Sequence, residues 1–331
     1  NTRVGMIEMP VRPCSGRDPR NGWRALSAAA ETGVNADDVQ STKGKFMKLL
    51  KICAAALVAS LFVVSGASAQ PKDWSSIKIA TEGAYKPWNF TDSSGKLIGF
   101  EIDLAEDLCK RMKAKCEIVA QAFDGVIPAL NAGKFDAIMA GMNITDKRKE
   151  AIAFSQTYGR TPSTFAVLKS NALAKLPEAG KVYSLNPDGV VAAEKSLNDL
   201  KPLLKGKVIG VQTSTAQANF LEKYFKDVIE IRQYKTTEQH DLDLSAGRVD
   251  AVFASISYLK SVVEAPENKE MTFAGPRYGG GVLGFGVAVG LRKTDPELLA
   301  KFDAAVAAAV ADGTVKTLSM KWFGFDVTPV R

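Results

Sequence analysis

The chain has 331 residues, of which 46% are hydrophobic, so it is long enough for two domains and apolar enough to bury a large core. This composition excludes global disorder. The formal net charge is +7, but nine basic and five acidic residues lie in the first 69 positions and leave 34 basic against 31 acidic residues beyond them. A balance of +3, with no basic run interleaved with aromatic residues, argues against a nucleic-acid partner.

The segment MKLLKICAAALVASLFVVSGASAQ, which begins at Met47, has the three parts of a secretory signal peptide. Two lysines precede a short apolar run, and the small-residue sequence ASA follows it as a cleavage site. The apolar run is too short for a stable membrane span. We therefore predict a signal peptide at 47–69, cleavage before Gln70 and a location in the periplasm. Residues 1–46 are interpreted as translated upstream sequence outside the native protein, because a signal peptide acts from the N-terminus.

Two cysteines lie beyond the predicted signal peptide, in a chain expected to reach an oxidising compartment. Cys109 lies late on a predicted helix, and Cys116 begins the next predicted strand. A single turn between them brings the two thiols within bridging distance. The pattern itself leaves two interpretations open, a structural disulfide and a pair of buried thiols.

Strands and helices alternate after Gln70, as in α/β proteins. The first half is predicted to contain a strand at 76–81, a hairpin with its turn at 92–95, a helix at 101–112, a strand at 116–121, a helix capped by Asp124 and stopped by Gly133, and a strand at 135–140.

An internal repeat indicates a second lobe of similar build. LNAGKFDAIMA at 130–140 matches LSAGRVDAVFA at 244–254, and each copy predicts a helix closed by glycine and followed by a buried strand. The second lobe also has predicted strands at 206–212 and 228–234, joined by a helix that begins in a Ser/Thr-rich segment. Residues 171–205 are rich in polar residues and proline, and are interpreted as an excursion with one helix.

The C-terminal region predicts that the chain returns to the first lobe, because a strand-like segment is followed by two helices with Asp312-Gly313 between them. The predicted fold class is α/β, with two lobes joined by a two-segment hinge in which Gly279, Gly280 and Gly281 supply backbone freedom. The predicted bounds are 70–159 plus 283–331 for lobe 1, 165–275 for lobe 2, and 160–164 and 276–282 for the hinge.

The ends of the predicted strands indicate where a ligand binds, since ligands of open α/β sheets lie beyond the carboxyl ends of strands. Arg148, just after one such end, has the fork geometry for a carboxylate, although in TDKRKE it equally fits a solvated charge at a helix start. Ser214 and Thr215 offer hydroxyl and amide groups to the same anion.

Glu82 lies at a different strand end and is suited to a cationic group, although it also fits a plain turn residue. Tyr85 and Phe123 have the size and shape to enclose an alkyl chain or a planar guanidinium, and also fit core positions. Together, these residues predict a ligand with a carboxylate at one end and a cation at the other.

Several segments resemble the periplasmic binding proteins of ABC importers for polar and basic amino acids, including the lysine/arginine/ornithine, histidine, octopine and nopaline receptors. The resemblance covers about 75–329. It is carried by IATEGAYKPWNF, GKLIGFEIDLAEDLCKRMKAKCEIV, FDGVIPALNAGKFDAIMAGMNITDKRKEAIAFS and LSMKWFGFDVTP. It implies a two-lobed type II periplasmic binding protein fold, a Cys109–Cys116 disulfide and an inner-membrane ABC permease as partner. It implies no cofactor and no metal, and we expect a monomer.

The resemblance also implies roles for individual residues. By this correspondence, Arg148 clamps the ligand carboxylate and Glu82 holds the distal cation. The remaining matched positions are Tyr85 and Phe123 as the aromatic platform, Ala140, Gly141 and Asn143 as partners of the carboxylate from lobe 1, and Ser214 and Thr215 as its partners from lobe 2.

Ser255 departs from the basic amino-acid receptors, which place an aspartate there to bind the free α-ammonium. A serine supplies no charge, and an α-ammonium buried without a counter-ion is costly. In an opine, the α-nitrogen bears a second carboxylate that neutralises it internally. We therefore predict an arginine-derived opine of the octopine or nopaline type, with free arginine, ornithine or lysine as the alternative.

Two features leave the subfamily open. His240 matches a histidine of the octopine-like branch, whereas GPRYGGG is closer to the nopaline-like branch. Asn143 is larger than the usual residue at its position. A cyclohexadienyl dehydratase-like enzyme is disfavoured, because the predicted cleft offers Glu82 as its one acid or base and His240 is predicted on a helix rather than at a strand end.

Overall fold

The computed structural model describes residues 72–329. The predicted signal peptide at 47–69 and the segment 1–46 lie outside the described residues. Within residues 72–329, no helix combines the length and the apolar character needed to cross a membrane.

The first sheet is formed by five strands, four from the N-terminal part of the described chain and one from its C-terminal part. The strands are β1 (Ser76–Thr81), β5 (Lys115–Ala120), β6 (Ala137–Ile138), β7 (Ala153–Gly159) and β14 (Val287–Leu291). Their order is β5-β1-β6-β14-β7, with β1 parallel to β5 and β6, and β14 antiparallel to β6 and β7. A small antiparallel sheet lies beside it and contains β2 (Ala84–Tyr85), β3 (Asn89–Thr91) and β4 (Leu97–Ile98).

The second sheet has six strands, all from the middle of the chain. They are β8 (Ser163–Leu168), β9 (Val182–Ser184), β10 (Val208–Gln212), β11 (Glu230–Tyr234), β12 (Ala251–Ser255) and β13 (Met271–Gly279). Their order is β11-β10-β12-β8-β13-β9, with β10 parallel to β11 and β12. Each sheet therefore has a parallel β-α-β part and an antiparallel part.

Helices cover both sheets. They are α1 (Phe100–Arg111), α2 (Val126–Asn131), α3 (Asp146–Ala151), α4 (Val190–Leu204), α5 (Ala216–Phe225), α6 (Thr237–Ser245), α7 (Ile256–Val263), α8 (Pro296–Ala311) and α9 (Thr314–Phe323). The C-terminal helices α8 and α9 pack into the core of the first sheet, as the sequence predicts, because Phe302, Val306 and Val315 are fully buried there.

One predicted helix start is wrong. Asp124 does not cap α2; it lies inside a 3₁₀ turn over Phe123–Gly125, and the α-helix begins only at Val126. Gly125 is the N-cap of α2 and offers no side chain. The physical reason is that the extra turn buries Phe123 against the sheet, and this burial outweighs the cap hydrogen bond.

The two copies of the internal repeat form the same pair of hydrogen bonds, each made by an aspartate before a buried strand. In the first sheet, the Asp136 carboxylate accepts a hydrogen bond from the Lys78 amide at 3.0 Å, and its own amide donates to the Lys78 carbonyl at 2.8 Å. In the second sheet, Asp250 makes the same two contacts with Val208, at 2.9 and 2.8 Å. The repeated aspartate therefore ties the start of β6 or β12 to the start of the neighbouring parallel strand.

The chain passes between the two sheets twice, at residues 160–162 and at residues 280–286. The second passage starts after Gly279, because β13 continues to that residue. Gly284 lies in this passage with φ +88°, and a Cβ there would stand 2.3 Å from the carbonyl oxygen of Ile144. Glycine is therefore required at this position on both conformational and steric grounds.

The disulfide is present between Cys109, on α1, and Cys116, on β5, with the Cα atoms 6.1 Å apart. It closes a short loop that joins the end of α1 to the sheet. Of the two interpretations of the cysteine pair, the structural disulfide is therefore the one confirmed.

Replacing both cysteines, Cys109→Ser with Cys116→Ser, is expected to lower the free energy of unfolding by about 2–3 kcal/mol, because the denatured chain regains the entropy of the open loop. Urea unfolding followed by circular dichroism measures the difference. As a control, dithiothreitol should destabilise the unmodified protein by a similar amount and leave the double variant unchanged. Equal unfolding midpoints for the two proteins would contradict the prediction.

Candidate functional site

A cavity lies between the carboxyl ends of strands from the two sheets. Eight of the ten predicted ligand-binding residues line it, namely Glu82, Tyr85, Phe123, Ala140, Gly141, Asn143, Arg148 and Thr215. The other two predicted residues, Ser214 and Ser255, do not line it. The remaining lining residues are Gln212, Ala216, Gln217, Thr237, His240, Phe253 and Ala254.

One end of the cavity is acidic. Glu82 directly follows β1 and is 8% exposed, and its Oε1 accepts a hydrogen bond from Gln212 Nε2 at the end of β10. Burial raises the pKa of the Glu82 carboxyl to about 7, with the Gln212 hydrogen bond opposing part of the shift. Among residues 72–329, no cationic side chain forms an ion pair with Glu82. This end of the cavity is therefore suited to a cation.

Gln212 was missed as a site residue, although the sequence places it at a strand end. It also donates to the carbonyl of Lys235 at 3.1 Å, which fixes the amide toward Glu82. A carboxylate of the first sheet is thus held by a side chain of the second sheet. The partner of Glu82 lies 130 residues away along the chain, and no local pattern connects the two.

The other end of the cavity is basic. Arg148 lies on α3, and its Nη1 donates to the carbonyl of Asn143 at 2.9 Å, while its Nη2 donates to the carbonyl of Ser214 at 3.1 Å. Desolvation lowers the pKa of Arg148 to about 10, so the guanidinium stays charged at neutral pH. Within the described chain, no carboxylate pairs with Arg148. The neighbouring Lys147 and Lys149 are exposed, so Arg148 alone of the three faces the cavity.

The first turn of α5 lies beside Arg148. Thr215 caps this helix, because its Oγ1 accepts a hydrogen bond from the Ala218 amide at 3.1 Å and donates to the carbonyl of Gln212 at 2.7 Å. The amides of the first helical turn have no intrahelical acceptor, and the helix dipole favours an anion there. Ala216 and Gln217, in this turn, line the cavity. This end therefore combines a guanidinium with a helix N-terminus.

Ser214 was expected to bind the ligand carboxylate, but it contributes its backbone instead. The residue is exposed and has a φ of +61°, and its carbonyl oxygen accepts a hydrogen bond from Arg148. The backbone of Ser214 thus orients the guanidinium, while its hydroxyl does not line the cavity.

The two predicted aromatic residues have different partners. The Tyr85 ring stacks on the Tyr258 ring, with centroids 5.0 Å apart and planes inclined by 9°. The Phe123 ring lies under the Arg148 guanidinium, 5.3 Å from its Cζ. Phe123 therefore supports the arginine by a cation–π contact, and Tyr85 forms part of a tyrosine pair that joins the two sides of the cleft.

Glu101 supports the cavity wall from behind, a role that the sequence did not reveal. It is fully buried on α1, and both of its carboxylate oxygens accept from the Gly141 amide, at 2.8 and 2.9 Å. Asn89 and Tyr158 donate to the same carboxylate. Burial raises the pKa of Glu101. Because the Gly141 amide already donates its hydrogen to Glu101, it is not free to bind the carboxylate of a ligand. This differs from the role expected for Gly141.

Gly141 is required at the turn that Glu101 holds. Its φ is +60°, and a Cβ there would stand 2.9 Å from Cε1 of Tyr85. The absence of a side chain lets the tyrosine ring lie against the backbone at the cavity wall. Glu101 and Gly141 together set the position of Tyr85.

Ser255 lies in a cluster of hydroxyl groups next to the cavity. Its Oγ is 2.5 Å from Thr161 Oγ1 and 2.7 Å from Ser257 Oγ, and Trp88 Nε1 donates to Ser257 at 2.9 Å. This cluster contains no charged group. The structure therefore offers no carboxylate at position 255 to a cationic nitrogen.

His240 lies on α6, as predicted, and it also lines the cavity. The expectation that the cleft offers only Glu82 as an acid or base is therefore wrong. The imidazole Nδ1 is 3.0 Å from Asp241 Oδ1. His240 reaches the cavity because α6 itself lies beside it, and Thr237 of the same helix also lines the cavity. Among the described residues, no cluster of His, Cys, Asp and Glu has the arrangement of a metal site.

Hydrogen bonds hold the two sides of the cleft together around the cavity. Thr237 Oγ1 on α6 donates to the carbonyl of Ala84 at 3.3 Å, and Ser261 Oγ on α7 donates to the carbonyl of Lys86 at 3.3 Å. These two hydrogen bonds, the Glu82–Gln212 contact and the stacked Tyr85 and Tyr258 rings connect the two halves of the cleft on the acidic side of the cavity. The structure is thus that of a closed cleft.

Comparison with known proteins gives a consistent picture. Residues 77–325 match the bacterial extracellular solute-binding proteins, family 3. The octopine-binding periplasmic protein of Rhizobium meliloti is 50% identical over 292 residues, which cover 82% of this chain and 98% of that protein. The L-arginine-binding protein of Pseudomonas aeruginosa is 35% identical over 284 residues, covering 85% and 98% of the two chains.

A solved structure shows the same architecture. It is a periplasmic His/Glu/Gln/Arg/opine family-binding protein from Silicibacter pomeroyi in complex with lysine, with a TM-score of 0.60 and 34% identity. The alignment covers 77% of this chain and all of that one. The predicted α/β fold class, in its two-lobed type II form, is confirmed.

The raised pKa of Glu82 predicts a pH dependence of stability in the ligand-free protein. Between the ordinary pKa of 4.5 and about 7, the folded state binds more protons than the unfolded state. The free energy of unfolding therefore falls as pH rises through this window, by at most about 3 kcal/mol. Glu82→Gln should remove the part of this fall that Glu82 contributes, while the part from Glu101 stays, and should make the protein more stable than the parent at pH 8, though not at pH 4.5.

Chemical unfolding between pH 4.5 and pH 8 measures the slope. The matched control is Glu194→Gln, which changes an exposed glutamate on α4 and should leave the profile unchanged. If Glu82→Gln and Glu194→Gln follow the same profile, Glu82 does not carry the proton.

Proposed function

The chain belongs to the bacterial extracellular solute-binding proteins, family 3, and we propose that it is the periplasmic substrate-binding component of an ABC importer. The similar proteins are binding proteins, and this chain is likewise a binding protein rather than an enzyme. The dehydratase alternative is therefore not retained. The proposal includes export by the signal peptide at 47–69, action as a monomer and delivery of the ligand to an inner-membrane permease.

Ligand capture is proposed to occur by closure of two lobes. Lobe 1 comprises residues 70–159 and 283–331, lobe 2 comprises 165–275, and the hinge comprises 160–164 and 276–282. The placement of one sheet in each lobe, with two passages between the sheets, supports this division. Two short connections of this kind permit a rotation that opens the cleft while each sheet stays intact.

The proposed ligand carries a carboxylate at one end and a cation at the other. Support comes from one observation: Arg148 and Glu82 line the same cavity, and within residues 72–329 neither forms an ion pair with another side chain. A carboxylate satisfies the guanidinium bidentately and also interacts with the N-terminus of α5. A guanidinium on the ligand places its N–H donors toward Glu82. The arginine skeleton has both groups.

Within this class of ligand, we favour an arginine-derived opine of the octopine or nopaline type. The hydroxyl cluster at Ser255, Thr161 and Ser257 provides no counter-ion for a free α-ammonium. An opine brings its own second carboxylate to that nitrogen. The relative that binds octopine, at 50% identity, is consistent with this choice.

Free basic amino acids are the second candidate. The relative at 35% identity is an L-arginine-binding protein, and the solved structure contains lysine. The pair formed by Glu82 and Gln212 serves the side chain of arginine equally well. The two candidates therefore differ at the α-nitrogen, next to Ser255.

Octopine and nopaline are expected to stabilise the protein more strongly than arginine, ornithine, lysine or histidine at equal concentration. A ligand at 100 times its Kd adds about 2.7 kcal/mol to the free energy of unfolding. A thermal-shift panel of these six compounds, followed by titration calorimetry, measures the order. A panel in which only free amino acids raise the melting temperature rules out the opine.

The same panel on Ser255→Asp gives a sharper form of this prediction. The new carboxylate should favour the free α-ammonium of arginine and repel the second carboxylate of octopine, which shifts the preference toward arginine. Ser255→Asn is the matched control, because it has the same shape without the charge. A preference shift of equal size in both variants would assign the effect to size rather than to charge.

Arg148→Ala is expected to weaken the binding of every carboxylate ligand by about a hundredfold or more, because a buried charge pair loses one partner. Titration calorimetry with octopine and with arginine measures the change. Lys147→Ala is the control, since it removes an exposed charge from the same helix and should bind normally. Near-normal affinity of a folded Arg148→Ala protein would remove Arg148 from the site.

A further inference from the structure

His240 has an unusual environment for a wall residue of a ligand cavity. Its side chain is fully buried, yet its Nε2 faces no hydrogen-bond partner within residues 72–329. The same residue lines the cavity that holds Glu82 and Gln212. A buried polar atom left without a partner is costly, and such atoms are rare in folded proteins.

The other side of the imidazole ring is fixed. Nδ1 lies 3.0 Å from Asp241 Oδ1, and Tyr258 donates its hydroxyl hydrogen to Asp241 Oδ2. A carboxylate only accepts hydrogen bonds, so the ring proton lies on Nδ1. In the neutral imidazole, Nε2 is then a bare acceptor.

Two aromatic rings fix the orientation of this acceptor. The rings of Tyr234 and Tyr258 meet the imidazole nearly edge-on, with centroids 6.1 and 6.2 Å away. Tyr258 is the residue whose ring stacks on Tyr85 at the cavity. The imidazole is therefore held between the core of the second sheet and the wall of the site.

The position of His240 lies near the acidic end of the cavity. Residues 210 and 212 of β10 face the same side of the sheet. A Cβ on Gly210 would stand 3.2 Å from Cβ of His240, and Gln212 reaches Glu82. One helical turn before His240, Thr237 bonds to the carbonyl of Ala84, two residues after Glu82.

We propose that His240 Nε2 accepts a hydrogen bond from the cationic group of the ligand and thereby determines, with Glu82, which cations the site holds. This inference rests on the proposed function. Asp241 acts as a positioning residue, because its carboxylate keeps the proton on Nδ1 and leaves Nε2 free to accept. A guanidinium has five N–H donors in a fixed plane, more than the Glu82 carboxylate alone can satisfy. A second acceptor at the wall favours such a planar, many-donor group over a neutral one.

The alternative is a core histidine whose polarity serves only to anchor Asp241 and Tyr258. That role uses Nδ1 and leaves Nε2 idle whether or not a ligand is bound. The two interpretations therefore differ in the response of a single nitrogen atom.

His240 is the one histidine among the 331 residues, so ¹⁵N-labelled histidine gives the signals of this ring alone. The measurement uses the full chain without a histidine tag, free and saturated with octopine or arginine, with saturation verified by calorimetry. In the free protein, the ¹⁵N shifts should report a protonated Nδ1 and a bare Nε2. On saturation, the Nε2 signal should move toward the shift of a hydrogen-bonded nitrogen, while Nδ1 stays in place.

Two variants extend the measurement to affinity. His240→Leu removes the acceptor and should weaken arginine or octopine binding by roughly tenfold to a hundredfold. His240→Gln places an amide oxygen within similar reach and should recover most of the loss. Equal losses in the two variants, with both folded, would contradict the inference and favour the core role.

The NMR result stands even if the variants fail to fold. Verified binding with an unchanged Nε2 signal, or an Nε2 already protonated in the free protein, overturns the inference and leaves the proposed function intact. If neither octopine nor arginine binds at all, the proposed function fails, and the role of His240 fails with it.

Discussion

The binding site depends on two unlike charges that line one cavity and have no side-chain counter-ion among residues 72–329. Arg148 and Glu82 each lose hydration in the closed cleft, and within the described chain neither pairs with a side chain of opposite charge. Their pKa values move in the directions that desolvation requires, down for the guanidinium and up for the carboxyl. A ligand with a carboxylate at the Arg148 end and a cation at the Glu82 end offsets the desolvation of both residues. A ligand with a single charge offsets the desolvation of only one of them.

The rest of the site keeps these charges in position and prevents them from finding partners elsewhere. Carbonyl groups of Asn143 and Ser214 hold the guanidinium, and Phe123 supports its face. These neutral contacts orient Arg148 without cancelling its charge. On the other side, Glu82 accepts from a neutral amide, which orients it in the same way. Because these partners are neutral, the charges of Arg148 and Glu82 remain available to a charged ligand. An ion pair within the protein would occupy them and exclude the ligand.

The parts of this arrangement that depend on local sequence were predictable. Apolar runs gave the strands, and the repeated Asp136 and Asp250 follow a helix stop in both copies because each ties two parallel strands together. Strand ends and residue chemistry pointed to Arg148 and Glu82. The resemblance to known receptors then supplied their roles and distinguished Arg148 from its neighbouring lysines.

The parts that depend on distant partners were not predictable from local patterns. Glu101 looks like an ordinary acid in the first turn of a helix, and only the fold brings it to Gly141, Asn89 and Tyr158. Gln212 and His240 become site residues because the second sheet faces the first. Asp124 was misjudged for a related reason, since the burial of Phe123 decides the start of α2 rather than the cap preference.

The distribution of charge over the two halves has a consequence for the order of events in binding. Glu82 follows β1 and Arg148 lies on α3, both in the half of the cleft built on the first sheet, whereas the half built on the second sheet contributes neutral groups such as Gln212 and Thr215. Coulomb interactions act over several ångströms, so the first half alone can attract and orient a two-ended ligand in an open cleft. Hydrogen bonds act only at contact. The groups of the second half therefore engage after closure, and the choice between ligands with the same two ends depends on them.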